Sequence, residues 1–189
     1  HLRRITNLGL ARAENLIEAT SNNDVLVEVS GLMKACAANL AKLAADLRLL
    51  ASGPRGGLGE LKLPARQAGS SIMPGKVNPV MTEMVTQVAY QVMASDLAIT
   101  LGAQGGQLQL NAFLPLMGDH LLRAMESLTQ ACRLLREHCI DGIVADEEQC
   151  REHLERSTAR AAALVSKIGY EAATAVVKAE LDEDDPTKV

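Results

Sequence analysis

The chain has 189 residues, 48% hydrophobic and 22% charged, a balance that excludes wholesale disorder and suits one main core with a small appendage. Its net charge of −4 and pI near 5.6 exclude a broad non-specific nucleic-acid surface. No apolar run approaches the roughly 20 residues of a membrane-spanning helix, so neither nucleic acid nor membrane is expected as a partner.

There is no Trp, one Phe (Phe113) and two Tyr (Tyr90 and Tyr170). Sheet cores draw on aromatic and β-branched residues, whereas this chain draws on Ala, Leu, Val and Met, which suit close helix–helix packing. The composition therefore leans all-α. Cys36, Cys132, Cys139 and Cys150 are scattered without a CxxC pair and read as reduced thiols of a cytoplasmic protein. Cys132, His138 and Cys139 have poor zinc-ligand spacing, and no metal site is expected. The chain starts at His1 rather than Met and carries no signal peptide, which reads as a piece of a longer protein.

In chain order, Asp24 to Ala51 comes first. Leu26, Val29, Met33, Cys36, Leu40, Leu43, Leu47 and Leu50 recur at threes and fours, the mark of one buried helical stripe. Asn22, Asn23 or Asp24 can cap its start, and Ser52-Gly53-Pro54 ends it. Residues 53–79 hold six glycines and four prolines, so no long regular element fits there. Such a segment, with Leu58, Leu61, Leu63, Ile72 and Met73 in it, reads as an ordered functional loop.

After Pro79 the run VMTEMVTQVAYQVMASDLAITLGA is apolar on more than one face, as in a helix deep within a bundle. A third helix is expected from about Leu108 to Cys139, kinked or broken at Pro115 and Gly118. Ala124, Leu128, Ala131, Leu135 and Cys139 keep its stripe. Asp146 then caps a charged helix running toward Gly169, followed by YEAATAVVKAEL and an acidic tail. The expected organisation is a central helical-bundle domain over residues 1–142, carrying the loop 53–79, and a small, truncated helical subdomain over 143–189.

The chemistry concentrates in Gly69-Ser70-Ser71-Ile72-Met73-Pro74-Gly75-Lys76-Val77-Asn78-Pro79. A phosphate-loop reading fails twice. Five residues rather than four separate Gly69 from Gly75, and Val77 stands where a magnesium-binding hydroxyl is needed. On its own terms the segment offers two hydroxyls beside a glycine, then a cation and an amide between prolines. A small dianion needs such a receptor, with Lys76 for charge, Asn78 for directed hydrogen bonds and backbone N–H groups for a developing oxyanion. His120, His138 and His153 have no partner motif and read as structural or surface residues. DEEQ and DEDD read as solvated surface, and the methionines as core filler.

GSSIMPGKVNP resembles the signature loop of the aspartase/fumarase superfamily. The likeness extends to AENLIEATSNND, DLRLLASGPRGGLGE, GGQLQLN, and HCIDGI followed by IGYEAA, nearly the whole chain. LPARQAGSS, NPVMTE and GQLQLN are similar to the branch that eliminates ammonia from aspartate, where class II fumarases tend to read PENEPGSS, NPTQ and GNFELN. The resemblance implies an all-α homotetramer built on a long-helix bundle, acting on a small dicarboxylate (L-aspartate or fumarate) and needing no cofactor. Ser70 then matches the catalytic base. Ser71, Lys76, Val77 and Asn78 match substrate contacts, and Glu83 matches the acid that pairs with a His in a more N-terminal region absent from this chain. Fumarate hydratase is the rival within the family. A catalytically incomplete helical module is the rival outside it, since the superfamily includes a lens protein that kept the fold with little or no activity.

Overall fold

Unbranched and small apolar residues at helical spacing give three long helices. The computed structural model describes residues 1–53, 56–67, 69, 72–73 and 75–183. Two short helices, α1 (Leu2–Thr6) and α2 (Glu18–Ser21), precede α3 (Asp24–Leu50), α4 (Val80–Gln104) and α5 (Leu114–His138). A two-stranded ladder of β1 (Leu61–Lys62) and β2 (Val144–Ala145), then α6 (Glu147–Arg156), α7 (Ala162–Ile168) and α8 (Tyr170–Glu183), make up the rest, with short 3-10 turns at Ile140–Gly142 and Thr158–Ala161. The fold is all-α, as expected. No described helix is long and apolar enough to cross a membrane.

The chain divides into two compact units: His1–Arg48 with Leu63–Gly142, and Leu49–Lys62 with Ile143–Val189. In the first, Ala37 of α3, Ala89 and Val92 of α4 and Ala124 of α5 form a core cluster, flanked by Met33, Val88 and Leu128. Small residues at the contact let the helix backbones approach closely. At Gly102 of α4 the approach leaves no room for a side chain, since a Cβ there would stand 2.8 Å from Cγ of the fully buried Met117 of α5. Fully burying a side chain such as Ile99 or Met117 contributes about 1.5–3 kcal/mol.

The buried line on α3 runs through Ser30, Ala37, Ala44 and Leu47, so the expected stripe is only partly right. Val29, Cys36 and Leu43 of that stripe are exposed. They join Val25 and Leu32 on a second apolar face that no described residue of this unit covers. Polar ties accompany the packing. Asp96 of α4, 6% exposed, accepts from Ser30 Oγ (2.8 Å) and Lys34 Nζ (2.6 Å) of α3. A buried carboxylate stripped of such donors costs more than the pair contributes, so the tie fixes which faces of α3 and α4 meet. His120 Nδ1 of α5 lies 3.2 Å from Ser95 Oγ of α4, a structural role as expected.

The third long helix starts at Leu114, later than expected, and Pro115 occupies its first turn instead of kinking it. Asn111 explains the boundary. Its buried amide donates to the Gly102 and Ala103 carbonyls at the end of α4, while its Oδ1 accepts from Phe113 N–H as α5 begins.

In the second unit, β1 and β2 pair antiparallel, Leu61 opposite Ala145 and Lys62 opposite Val144. Asp146 caps α6 through Gln149 N–H, as the sequence suggested. The single helix expected from Asp146 toward Gly169 instead breaks at Ser157. There the backbone is extended and the Ser157 hydroxyl accepts from Ala159 N–H, competing with helical continuation. The acidic tail beyond Glu183 lies outside the described residues.

His153 joins α6 to the residue before β1, its Nδ1 2.7 Å from Glu60 Oε1 and its Nε2 2.8 Å from the Gln149 amide nitrogen. A carboxylate only accepts, so Nδ1 carries the proton and Nε2 accepts from Gln149. Nearby, Lys62 Nζ lies 2.7 Å from Asp146 Oδ2. The Lys62 hydrogen bond, then the Gln149 N–H, hold the Asp146 carboxyl below the usual carboxylate range. A depressed pKa stabilises the folded state above the ordinary value of about 3.9, and the contribution is lost as pH falls through the lowered one. Acid should therefore loosen α6 in the wild type, and Asp146→Asn should flatten that dependence. Hydrogen exchange of α6 between pH 5 and pH 2 reads this, and an identical acid profile in the variant would contradict it.

Candidate active site

The part of the expected loop that belongs to the first unit begins at Leu63, and its two ends lie together. Its incoming limb, Leu63 and Pro64, packs against its outgoing limb, Pro79–Thr82, over the buried Cys139. Pro64 also lies against Gly142, where a Cβ would meet its Cγ at 2.6 Å. Beyond these feet the described residues 65–67, 69, 72–73 and 75–77 are exposed, Ile72 86% and Met73 50%. Closely spaced ends joined through exposed residues are common in functional surface loops.

Local sequence sets its shape. Lys76 N–H donates to Met73 O at 3.2 Å, closing a four-residue turn. Gly75, third in that turn, has φ +81°, a left-handed conformation that glycine adopts without strain. Gly69 lies so close to Lys76 that a Cβ on it would stand 2.2 Å from the Lys76 carbonyl oxygen. Only glycine permits that approach, and it brings the residue before Ser70 onto the limb that carries Lys76.

Lys76 is exposed, Val77 is 51% exposed and Asn78 is half-buried. Val80 N–H donates to Asn78 O, so Asn78 leads directly into α4. Glu83 is half-buried in the first turn of α4, where the helix dipole favours a carboxylate. Among the described residues neither Lys76 nor Glu83 forms an ion pair. Lys76, Val77, Asn78 and Glu83 thus lie on one continuous stretch leading from the turn into the helix. Ser70 and Ser71 lie outside the described residues.

Sequence reasoning passed over Arg66. Its Nε donates to His138 O (2.9 Å) and its Nη2 to Glu137 O (3.4 Å), at the C-terminus of α5. Burial pushes the adjacent Cys139 thiol up, and the Arg66 charge works the other way. No residue pattern announces a side chain whose partners are carbonyls of a distant helix end.

The sequence profile of a family described as a lyase matches residues 1–94. An aspartate ammonia-lyase from Pseudomonas canavaninivorans is 50% identical over 181 residues, 96% of this chain and 38% of that protein. A class II fumarate hydratase from Corynebacterium efficiens is 47% identical over 174 residues, 92% of this chain and 37% of that protein. Among solved structures, a fumarate lyase:delta crystallin from Brucella melitensis in native form superposes with TM-score 0.87 at 49% identity, covering 96% of this chain and 42% of that one. The chain spans about 38% of the length of the curated relatives it matches.

Proposed function

We propose, on the premise that the chain belongs to the lyase family of aspartases and class II fumarases, that the whole protein reversibly eliminates ammonia from L-aspartate to give fumarate. One observation carries this reading. Among the described residues Lys76 stands exposed and without an ion pair, on a turn against which Gly69, the neighbour of Ser70 in the sequence, is tightly packed. An unpaired cation is what a dicarboxylate substrate needs.

In this mechanism Ser70 removes a proton from the carbon next to the side-chain carboxylate of aspartate. The electron pair moves into that carboxylate as a dianionic aci-carboxylate, then returns to form the double bond as the amine leaves as ammonia. The C–H bond is weakly acidic, so the intermediate needs positive charge and N–H donors in a site closed to water. Lys76 supplies the charge, and Asn78 and the amide groups of Ser71 and Val77 orient the carboxylates. Serine is a poor base near its free pKa and requires donors around its oxygen, for which loop N–H groups serve. Glu83 orients a histidine supplied by a segment outside this chain.

The working form is a homo-oligomer, in keeping with a tetramer. The uncovered apolar rows support this, Val25, Val29 and Leu32 on α3 and Tyr90, Leu97 and Leu101 on α4. This chain alone is inactive, because positioning of the reacting groups needs the complete set of segments.

Purified whole protein should convert L-aspartate to equal amounts of fumarate and ammonia, with L-malate poor or inert and the 189-residue chain as a negative control. Turnover of malate in preference to aspartate would transfer the protein to the fumarate hydratases, the second reading that the 47% identity with such an enzyme favours.

A further inference from the structure

The last four carbonyls of an α-helix have no intrahelical N–H partner and carry the negative end of the helix dipole. In α5 the Leu135 carbonyl accepts from Cys139 N–H, but Glu137 and His138 lie too close to the end for such a partner. The Arg66 guanidinium fills that position, with Nε on His138 O and Nη2 on Glu137 O. Arg66 is in the incoming limb of the loop, two residues after the Pro64–Gly142 contact and three before Gly69.

The two limbs are therefore held differently. The outgoing limb runs from Lys76 through Asn78 straight into α4, so helical continuity fixes it. The incoming limb has no helix of its own. Between Pro64 and Gly69 the described side-chain tie is Arg66, and it is a fork that a rigid guanidinium makes and a single ammonium does not. Ser70 follows this limb, whereas Lys76 and Asn78 are on the other.

We infer that Arg66 is a positioning residue for the loop, and that its fork on the α5 carbonyls sets the limb carrying the serine without affecting the limb that grips the carboxylate. This rests on the reading of the loop as the substrate loop. Loss of the fork should misplace the base more than the carboxylate contacts, and small misplacements of reacting groups are costly in rate.

The test uses the whole protein with Arg66→Met and Arg66→Lys, assayed for fumarate from L-aspartate. Hydrogen exchange of residues 67–73 and, separately, of residues 76–78 is followed in parallel. Arg66→Met should lower kcat about three- to tenfold with KM within about twofold. Arg66→Lys, which keeps a cation at the helix end, should recover part of the loss. Exchange in 67–73 should rise in Arg66→Met while residues 76–78 and α4 keep their wild-type rates and Tm holds, because the guanidinium is exposed. Wild-type kcat in Arg66→Met, or a loss falling on KM and Tm together, would overturn the inference. If the wild type made no fumarate, the substrate reading would fail. The exchange measurement would still decide the anchor, for which unchanged exchange in Arg66→Met is the contrary result.

Discussion

Ser70→Ala in the whole protein should lower kcat for aspartate elimination by about 10²–10⁴-fold, the usual range for removal of a general base, with KM changed only modestly. The change deletes one oxygen and leaves Lys76 and Asn78 to hold the carboxylates. Ground-state binding therefore survives while proton removal does not. Loss confined to kcat identifies a group that acts in the transition state. A parallel rise in KM would assign the hydroxyl to substrate binding instead. Near wild-type turnover would remove Ser70 from the mechanism.

Lys76→Ala should behave differently. In the proposed mechanism the ammonium faces a carboxylate in the ground state and a second negative charge in the aci-carboxylate, so its removal should raise KM and lower kcat together. The expected loss in kcat/KM is about 10²–10³-fold, comparable to loss of one oxyanion donor. Lys76 is exposed and forms no ion pair among the described residues, so folding should not suffer. Steady-state kinetics with a thermal melt separates the two effects. Unchanged KM with reduced kcat would confine Lys76 to the intermediate.

The long helices were legible in the sequence because three- and four-residue apolar spacing is a local signal, and α3, α4 and α5 lie close to where that spacing puts them. Their faces were less so. Periodicity counts Val29 and Leu43 as core, but α3 is apolar on two sides, and only packing selects the side with Ser30, Ala37 and Ala44. The start of α5 and the break at Ser157 were missed for one reason. Asn111 and Ser157 act through side-chain hydrogen bonds to backbone groups, which periodicity does not register.

In the candidate site, the placement of Lys76, Asn78 and Glu83 on one stretch was legible because they are near neighbours in the sequence. The Arg66 fork joins residues more than 70 positions apart through main-chain oxygens, and the Glu60–His153 link spans 93 positions. Neither has a sequence signature. Both emerge only once the fold brings the segments together.

The most direct measurement supplies the whole protein with fumarate and ammonium together in water and identifies the product by NMR. Addition in this direction must choose between ammonia and water as the nucleophile, so the product names the reaction. L-aspartate, absent when Ser70 is replaced by Ala, is the expected result. L-malate, or no product from a folded and assembled protein, would contradict the account.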